Sequence, residues 1–171
     1  MKSSGTSKAK SATRLVRPAW ANRFATPTLT ALLHPLKASH APHVRHARAK
    51  MLAVQGMREV IAWQGVWRWT LVYTHPSLPG QVWAFLVPDP SRPLLAVPVA
   101  ESVLPALPPK YLTRPVRDGL VLAPVVGGVR WATWEVTSNS LTENVLAIAA
   151  SRVAMMNVQQ GRPAVTARRA S

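Results

Sequence analysis

The sequence contains no cysteine, only six acidic residues, and no long uninterrupted apolar run. Without cysteine there is no disulfide, no Cys-ligated zinc or iron–sulfur site, and no thiol nucleophile. Pro, Gly or a charge interrupts every apolar stretch before the ~18–20 residues that a spanning helix needs. We therefore expect no membrane span and no cofactor.

Recognised catalytic motifs are also missing. There is no Gly-x-Ser-x-Gly elbow, no His-Glu-x-x-His, no Walker loop and no Gly-x-Gly-x-x-Gly. Among the few carboxylates, Glu135 lies in an apolar stretch where burial could raise its pKa. An ion pair of Glu135 with Arg130 or Arg68 is the interpretation that we favour. A binding domain is therefore expected rather than an enzyme.

The positive charge lies at the two ends of the chain. Of the formal net charge of +15, residues 1–50 contribute +10, residues 161–171 contribute +3, and the centre only +2. Ends of one sign repel themselves and attract polyanions, whereas a nearly neutral centre with many apolar residues can fold. Within the first end, Thr28–Leu36 is expected to form one or two helical turns. We predict a disordered basic arm over residues 1–42, an α+β globular domain over residues 43–157, and a basic disordered tail over residues 158–171.

The basic arm indicates contact with nucleic acid. A flexible cationic ribbon neutralises phosphates without reading base sequence. Two other interpretations stay open: a solubilising tail of a cytoplasmic protein, or an organelle transit peptide, which shares this acid-free composition with Ser, Ala and Arg. The predicted non-specific contacts with DNA or RNA are Lys8, Lys10, Arg14, Arg17, Arg23, Arg45, Arg48 and Lys50.

Two long helices are predicted at the ends of the domain. The first begins near Pro42, since the first turn of a helix does not need that N–H, and carries apolar residues at helical spacing from Val44 to Val54. The second begins at Ser140, whose spacing to Glu143 is that of a capping box. Its predicted buried face consists of Leu141, Val145, Ile148, Ala149 and Met156.

The stretches between these helices are rich in β-branched and aromatic residues and are separated by turn residues, which is typical of strands. Pro98 places one strand at a sheet edge, because proline cannot donate to a ladder. Gly127-Gly128 is a two-residue hairpin signal. The order predicts an α+β fold with an antiparallel sheet of about five strands, packed by an N-terminal and a C-terminal helix. The predicted strands are Val66–Thr74, Gln81–Val87, Leu94–Val99, Leu120–Val126 and Val129–Val136.

Two segments carry a resemblance to known families. Residues 54–65, VQGMREVIAWQG, and residues 67–73, WRWTLVY, resemble small bacterial domains of the YdhG-like and MmcQ/YjbR-like families. In these families a hairpin and a C-terminal helix finish the domain, as Gly128–Val136 and Ser140–Met156 would here. The resemblance covers roughly residues 43–157. It implies a compact α+β domain with DNA contact as a role, whereas the iron handling of a YdhG-like member would need a row of carboxylates that this chain does not have.

Seven Trp stand against two Phe and two Tyr. Trp67 and Trp69 share the parity of Leu71 and Tyr73 in one predicted strand, which favours packing in a core. Exposed Trp side chains would instead stack on bases or line a pocket. The alternative function is therefore a small-ligand-binding or enzymatic domain, with its pocket between the sheet and the C-terminal helix. The predicted lining is Trp67, Trp69, Trp83 and Trp134.

Three histidines, His40, His43 and His46, follow one another at intervals of three, a spacing that is compatible with a divalent metal on one helical face. The neighbouring Arg45 and Arg48 would repel a cation, and no carboxylate stands nearby in the sequence to orient the imidazoles. We therefore predict a solvated basic segment here rather than a metal site.

Overall fold

A computed structural model describes residues 18–159, with side chains described as far as residue 155. The helices are α1 (Leu29–Leu33), α2 (Ala41–Leu52), α3 (Arg114–Val121) and α4 (Asn139–Gln159). The strands are β1 (Arg58–Trp63), β2 (Trp69–Thr74), β3 (Val82–Val87), β4 (Leu94–Ala100), β5 (Val125–Val126) and β6 (Val129–Glu135). Short 3-10 helices lie at Ala19–Ala21, Gly65–Trp67, Glu101–Ala106 and Pro109–Tyr111.

The strands form one antiparallel sheet in the order β1-β2-β3-β4-β6-β5, and the long helices α2 and α4 pack on one face of it. This confirms the α+β fold with a helix at each end. The described sheet has six strands rather than about five, because β1 was not predicted. Within residues 18–159 no helix is long and apolar enough to cross a bilayer.

Both long helices bury the faces that the periodicity predicted, although α4 begins differently. Ser138 caps α4 in place of Ser140, since its Oγ accepts the N–H of Leu141 at 3.2 Å. The helix starts two residues earlier than the capping-box spacing indicated, so Ser140 lies exposed in its first turn. The Met156 side chain lies outside the described residues. Fully buried positions include Val44, Ala47 and Met51 of α2 and Val145, Ile148 and Ala149 of α4.

The folded region begins earlier than residue 43. Trp20 and Leu32 are buried in one apolar cluster with Trp69 and Val87. Thr28 caps α1 by accepting the N–H of Ala31 at 3.2 Å, so the predicted short helix is present. The boundary at residue 43 is wrong because a five-residue helix between prolines shows too little periodicity to mark a core segment. Residues 1–17 and 160–171, the outer parts of the predicted arm and tail, lie outside the described residues.

Trp67 and Trp69 do not share a face, in contrast to the prediction from parity. Parity holds only along a continuous strand, and the predicted strand Val66–Thr74 is broken before Trp69. Residues 65–67 form a 3-10 turn, and Arg68 has a left-handed φ of 57°, which is strained for a residue with a side chain. Trp67 therefore packs against Phe85, with ring centroids 5.2 Å apart, on the face opposite the long helices, while Trp69 is buried in the cluster with Trp20 and Leu32.

The glycine pair forms the predicted hairpin turn, with φ of 59° at Gly127 and 75° at Gly128. The strand before it is much shorter than predicted, since most of residues 120–126 belong to the end of α3 and a loop. Helix α3 lies directly on Trp134 of β6, and a Cβ at Gly119 would clash with the Trp134 indole. This close approach explains why a glycine is tolerated inside a helix.

Strand β4 lies between β3 and β6, so its predicted place at a sheet edge is wrong. It pairs with β6 along its whole length, but with β3 only over the three pairs from Val87–Leu94 to Phe85–Ala96. Pro98 has no partner residue on β3. Its missing N–H therefore does not interrupt a ladder hydrogen bond between β3 and β4. On its β3 side, the second half of β4 is therefore unpaired, as proline's missing N–H donor would suggest for an edge strand. We call the boundary between these two strands the β3–β4 seam.

Candidate ligand-binding site

The β3–β4 seam opens where two irregularities meet. Continuing the register past Phe85–Ala96 would place Trp83 opposite Pro98. Pro98 has no N–H to offer, and Trp83 is an extra residue relative to β2, because Tyr73 pairs with Ala84 but Thr74 pairs with Val82. A bulge of this kind bends a strand and ends regular pairing. The two strands consequently separate.

The separated strands enclose a cavity of about 790 Å³, which we call the seam cavity. Its walls come from the start of β3, the end of β4, β6, the 3-10 helix at residues 101–106 and α4. The apolar lining includes Val82, Val103, Val129, Trp131 and Met155. The volume falls within the ~300–1,000 Å³ typical of small-molecule sites.

The lining of the seam cavity includes both buried and exposed residues. Leu78, Pro98 and Arg152 line it and are buried, whereas Gln81 and Ser102 line it and are exposed. Among its described lining residues, Arg152 is the one that carries a charge. The cavity therefore combines a buried cation with a largely apolar lining.

Arg152 of α4 replaces part of the missing strand pairing. Its Nη1 donates to the carbonyl oxygens of Trp83 at 3.1 Å and Val82 at 3.4 Å, and its Nη2 donates to that of Val82 at 3.5 Å. These carbonyls lie in the part of β3 that does not pair with β4. Burial lowers the pKa of Arg152 to about 10, so the guanidinium is still charged at neutral pH.

The four predicted pocket tryptophans do not line the seam cavity. Trp69, Trp83 and Trp134 are buried in the core, and Trp67 is half-buried beside Phe85 and Trp131. Two of the buried indoles are held by backbone carbonyls, since Trp69 Nε1 donates to Asn22 at 2.7 Å and Trp134 Nε1 to Pro115 at 3.2 Å. The seam cavity is therefore not the pocket that these four tryptophans are predicted to line.

Sequence reasoning missed Trp131 and Arg152, although both left a signal. Trp131 has the opposite parity to the buried Trp134, which places it on the other face of β6. Arg152 follows Ile148 by four positions and Ala149 by three, so it lies on the buried stripe of α4. An arginine on an apolar stripe is rarely fully buried without a partner, which is the signal that could have singled it out.

The predicted nucleic-acid residues divide into three groups. Lys8, Lys10, Arg14 and Arg17 lie outside the described residues. Arg23 and Arg45 are exposed, as a phosphate contact would require. Arg48 and Lys50 are held in ion pairs on α2: Arg48 contacts both Glu59 carboxylate oxygens at 2.8 Å, and Lys50 Nζ lies 3.2 Å from Glu143 Oε1. These two pairs reduce the positive field that α2 presents.

The Arg48 pair belongs to a network that fastens α2 to the sheet. Tyr73 donates its hydroxyl to Glu59 Oε2 at 2.6 Å, so the carboxylate is shared between a guanidinium and a phenol. Burial, and then this hydrogen bond, raise the pKa of Tyr73, and the bond to Glu59 raises the pKa of Arg48. The carboxylate is satisfied by these two partners, so the network has a structural role.

Two of the three histidines contact α4, so this segment belongs to the folded domain rather than to a free solvated arm. His43 Nδ1 is 2.8 Å from Asn139 Oδ1, and His46 Nε2 is 3.1 Å from Glu143 Oε1. Hydrogen bonds from Lys50 and His46 lower the pKa of Glu143. Glu143 is 97 residues from His46 in the sequence, so the spacing of the histidines did not predict this contact. Across the part of the chain that the structure describes, no three His, Asp or Glu side chains are grouped as a metal site would require.

Glu135 forms an ion pair, as the favoured interpretation stated, but with a different partner. Its Oε2 accepts from Arg92 Nε at 3.1 Å, while Arg130 pairs with Glu101 at 3.0 Å. Arg92 stands in the loop before β4, directly beside the end of β6, which the sequence alone did not reveal.

No family model matches this chain, and no curated protein or solved structure shows significant similarity to it. The resemblance to the YdhG-like and MmcQ/YjbR-like families therefore stays a prediction.

Proposed function

We propose that this protein is a non-enzymatic binding domain that holds one small, largely apolar molecule in the seam cavity. The cavity itself is the observation that carries the proposal: about 790 Å³ of space lined mainly by aliphatic side chains and one indole, Trp131. A concave, largely apolar space of this size is typical of a small-molecule site.

The lining favours binding over catalysis. Its described residues include no Asp, Glu, His, Lys or Cys, and its one hydroxyl belongs to the exposed Ser102. Acid–base and nucleophilic catalysis need such groups within hydrogen-bonding reach of one another. An apolar surface instead gains free energy simply by removing a ligand from water, at about 25 cal/mol per Å².

A neutral fluorescent probe, N-phenyl-1-naphthylamine, tests the proposal. We expect its emission to rise on binding to the full chain, because the seam cavity is apolar. Ala154→Trp should block the cavity and lower the affinity about tenfold or more, because Ala154 lines it. Ala150→Trp is the matched control, since Ala150 is also exposed on α4 but does not line the cavity.

Equal affinities of Ala154→Trp and Ala150→Trp would contradict the proposal, because the probe would then bind elsewhere. Absence of binding to the unmodified chain would contradict it as well.

We further propose that the basic N-terminal segment contacts nucleic acid without sequence preference, independently of the seam cavity. Residues 1–17 contain five Lys or Arg and no acidic residue. Arg23 and Arg45 add two exposed cations in the described region. Charge of this density attracts phosphates by releasing their counterions.

A further inference from the structure

Arg152 is a buried cation without an anionic partner in the described part of the chain. Its exposed fraction is 6%, and none of the six ion pairs among the described residues includes it. Taking a charge out of water costs several kcal/mol unless a counter-charge or good hydrogen bonds compensate. The partly buried guanidinium of Arg48, in contrast, has such a counter-charge in Glu59.

The hydrogen bonds of Arg152 do not use its full capacity. A guanidinium has five N–H donors in a planar fork that matches a carboxylate. Its contacts with described residues go to the carbonyls of Val82 and Trp83, at distances of 3.1 to 3.5 Å, from Nη1 and Nη2. Only the shortest is near the usual length of an N–H···O bond. Donor capacity therefore remains at a residue that lines the seam cavity.

The buried position of Arg152 determines which part of a ligand it can meet. An anionic group that met the guanidinium would leave its apolar body against the apolar lining, which includes Val82, Val129 and Trp131.

We infer that Arg152 makes the seam cavity selective for small organic anions, above all monocarboxylates with an apolar body, which bind with the carboxylate on the buried guanidinium. This inference rests on the proposed function, because it names the ligand class of the same cavity. A purely structural role for Arg152, as a cap for the two carbonyls of β3, is the alternative that the experiment must separate from it.

The experiment measures displacement of N-phenyl-1-naphthylamine by octanoate and by 1-octanol, which differ in charge but share an eight-carbon chain. We expect octanoate to bind about tenfold more tightly or better, as a charge-assisted contact would provide. Arg152→Met should abolish this preference while the affinity for 1-octanol remains. Arg117→Met, which removes an exposed arginine that does not line the seam cavity, should keep the preference.

A measurement on the unmodified chain avoids any folding defect of the Arg152 variant. Octanoate should lose its preference between pH 7 and pH 4, because a carboxylic acid protonates at around pH 4–5. Octane-1-sulfonate stays ionised over this range and should keep its advantage over 1-octanol.

Three results separate the possibilities. Equal affinity for octanoate and 1-octanol at pH 7 would overturn the inference and leave the proposed function standing. Failure of the probe itself to bind would overturn the proposed function. A preference for octanoate that survives in a folded Arg152→Met variant would assign recognition to another group and overturn the inference too.

Discussion

The two halves of the β3–β4 seam are built from similar residues and behave differently. In the closed half, Phe85, Leu86 and Val87 pair in register with β4 and are almost fully buried. In the open half, the same two strands separate, and Val82 and Pro98 line a cavity instead of pairing across the seam. Both halves are apolar, so hydrophobicity does not distinguish them. The difference comes from a bulge at Trp83 and a proline opposite it. Two local backbone features can therefore separate paired strands and form a cavity.

The largest expected effect comes from breaking the closed region. Trp69→Ala and Trp134→Ala should each lower the free energy of unfolding by ~3–5 kcal/mol, because both indoles are buried and hydrogen-bonded. The sequence predicts that the Trp134 truncation is the milder of the two changes. The contact of Trp134 with α3 at Gly119 removes that difference. Denaturant melts measure both values, and a midpoint unchanged from the parent in either variant would contradict the core assignment.

A smaller change should come from making the open half resemble the closed half. Pro98→Val restores an N–H and adds a residue that favours strands, so we expect β3 and β4 to approach each other. The affinity for N-phenyl-1-naphthylamine should fall about tenfold, while the free energy of unfolding changes by no more than about 1 kcal/mol. Fluorescence titration and a denaturant melt measure the two quantities.

Pro35→Val is the control for the Pro98 substitution, since Pro35 is exposed and lies outside the cavity. If both variants bound the probe like the parent, the proline would not be what keeps the seam open.

Removing residues 1–17 should have the smallest effect on the stability and on the ligand binding of the β3–β4 seam. The truncation leaves Trp20 and Leu32 in place, so the denaturant midpoint and the probe affinity should stay the same. Affinity for DNA or RNA should fall, and its dependence on salt should flatten by about 0.9 in log–log slope for each phosphate that the shortened chain no longer neutralises. Absence of nucleic-acid binding by the full-length protein at ~50 mM salt would refute the proposed contact of the N-terminal segment with nucleic acid.

The sequence predicted those parts of the fold that depend on a continuous local pattern. The buried faces of α2 and α4 follow from helical spacing, and the hairpin follows from Gly127-Gly128. Prediction failed where an interruption of the extended backbone changed which face the side chains occupy, as at Arg68 between Trp67 and Trp69. The shared face predicted for Trp67 and Trp69 was wrong for this reason.

The seam cavity was beyond sequence reasoning because it depends on residues that are distant along the chain. Pro98, Trp83 and Arg152 belong to three elements, and only the register of β3 and β4 brings the first two opposite each other. The part that could have been noticed is the arginine on the apolar stripe of α4. Its meaning became clear only with the carbonyls of Val82 and Trp83 beside it.

The open half of the seam, and not the tryptophan-rich core, is the proposed place of the ligand. The most direct measurement is a ¹H–¹⁵N correlation spectrum of the seven indole N–H groups of the full chain during titration with octanoate. We predict that the Trp131 resonance shifts in proportion to saturation, while those of Trp69 and Trp134 stay in place. Shifts of Trp69 and Trp134 with an unmoved Trp131 would contradict this placement.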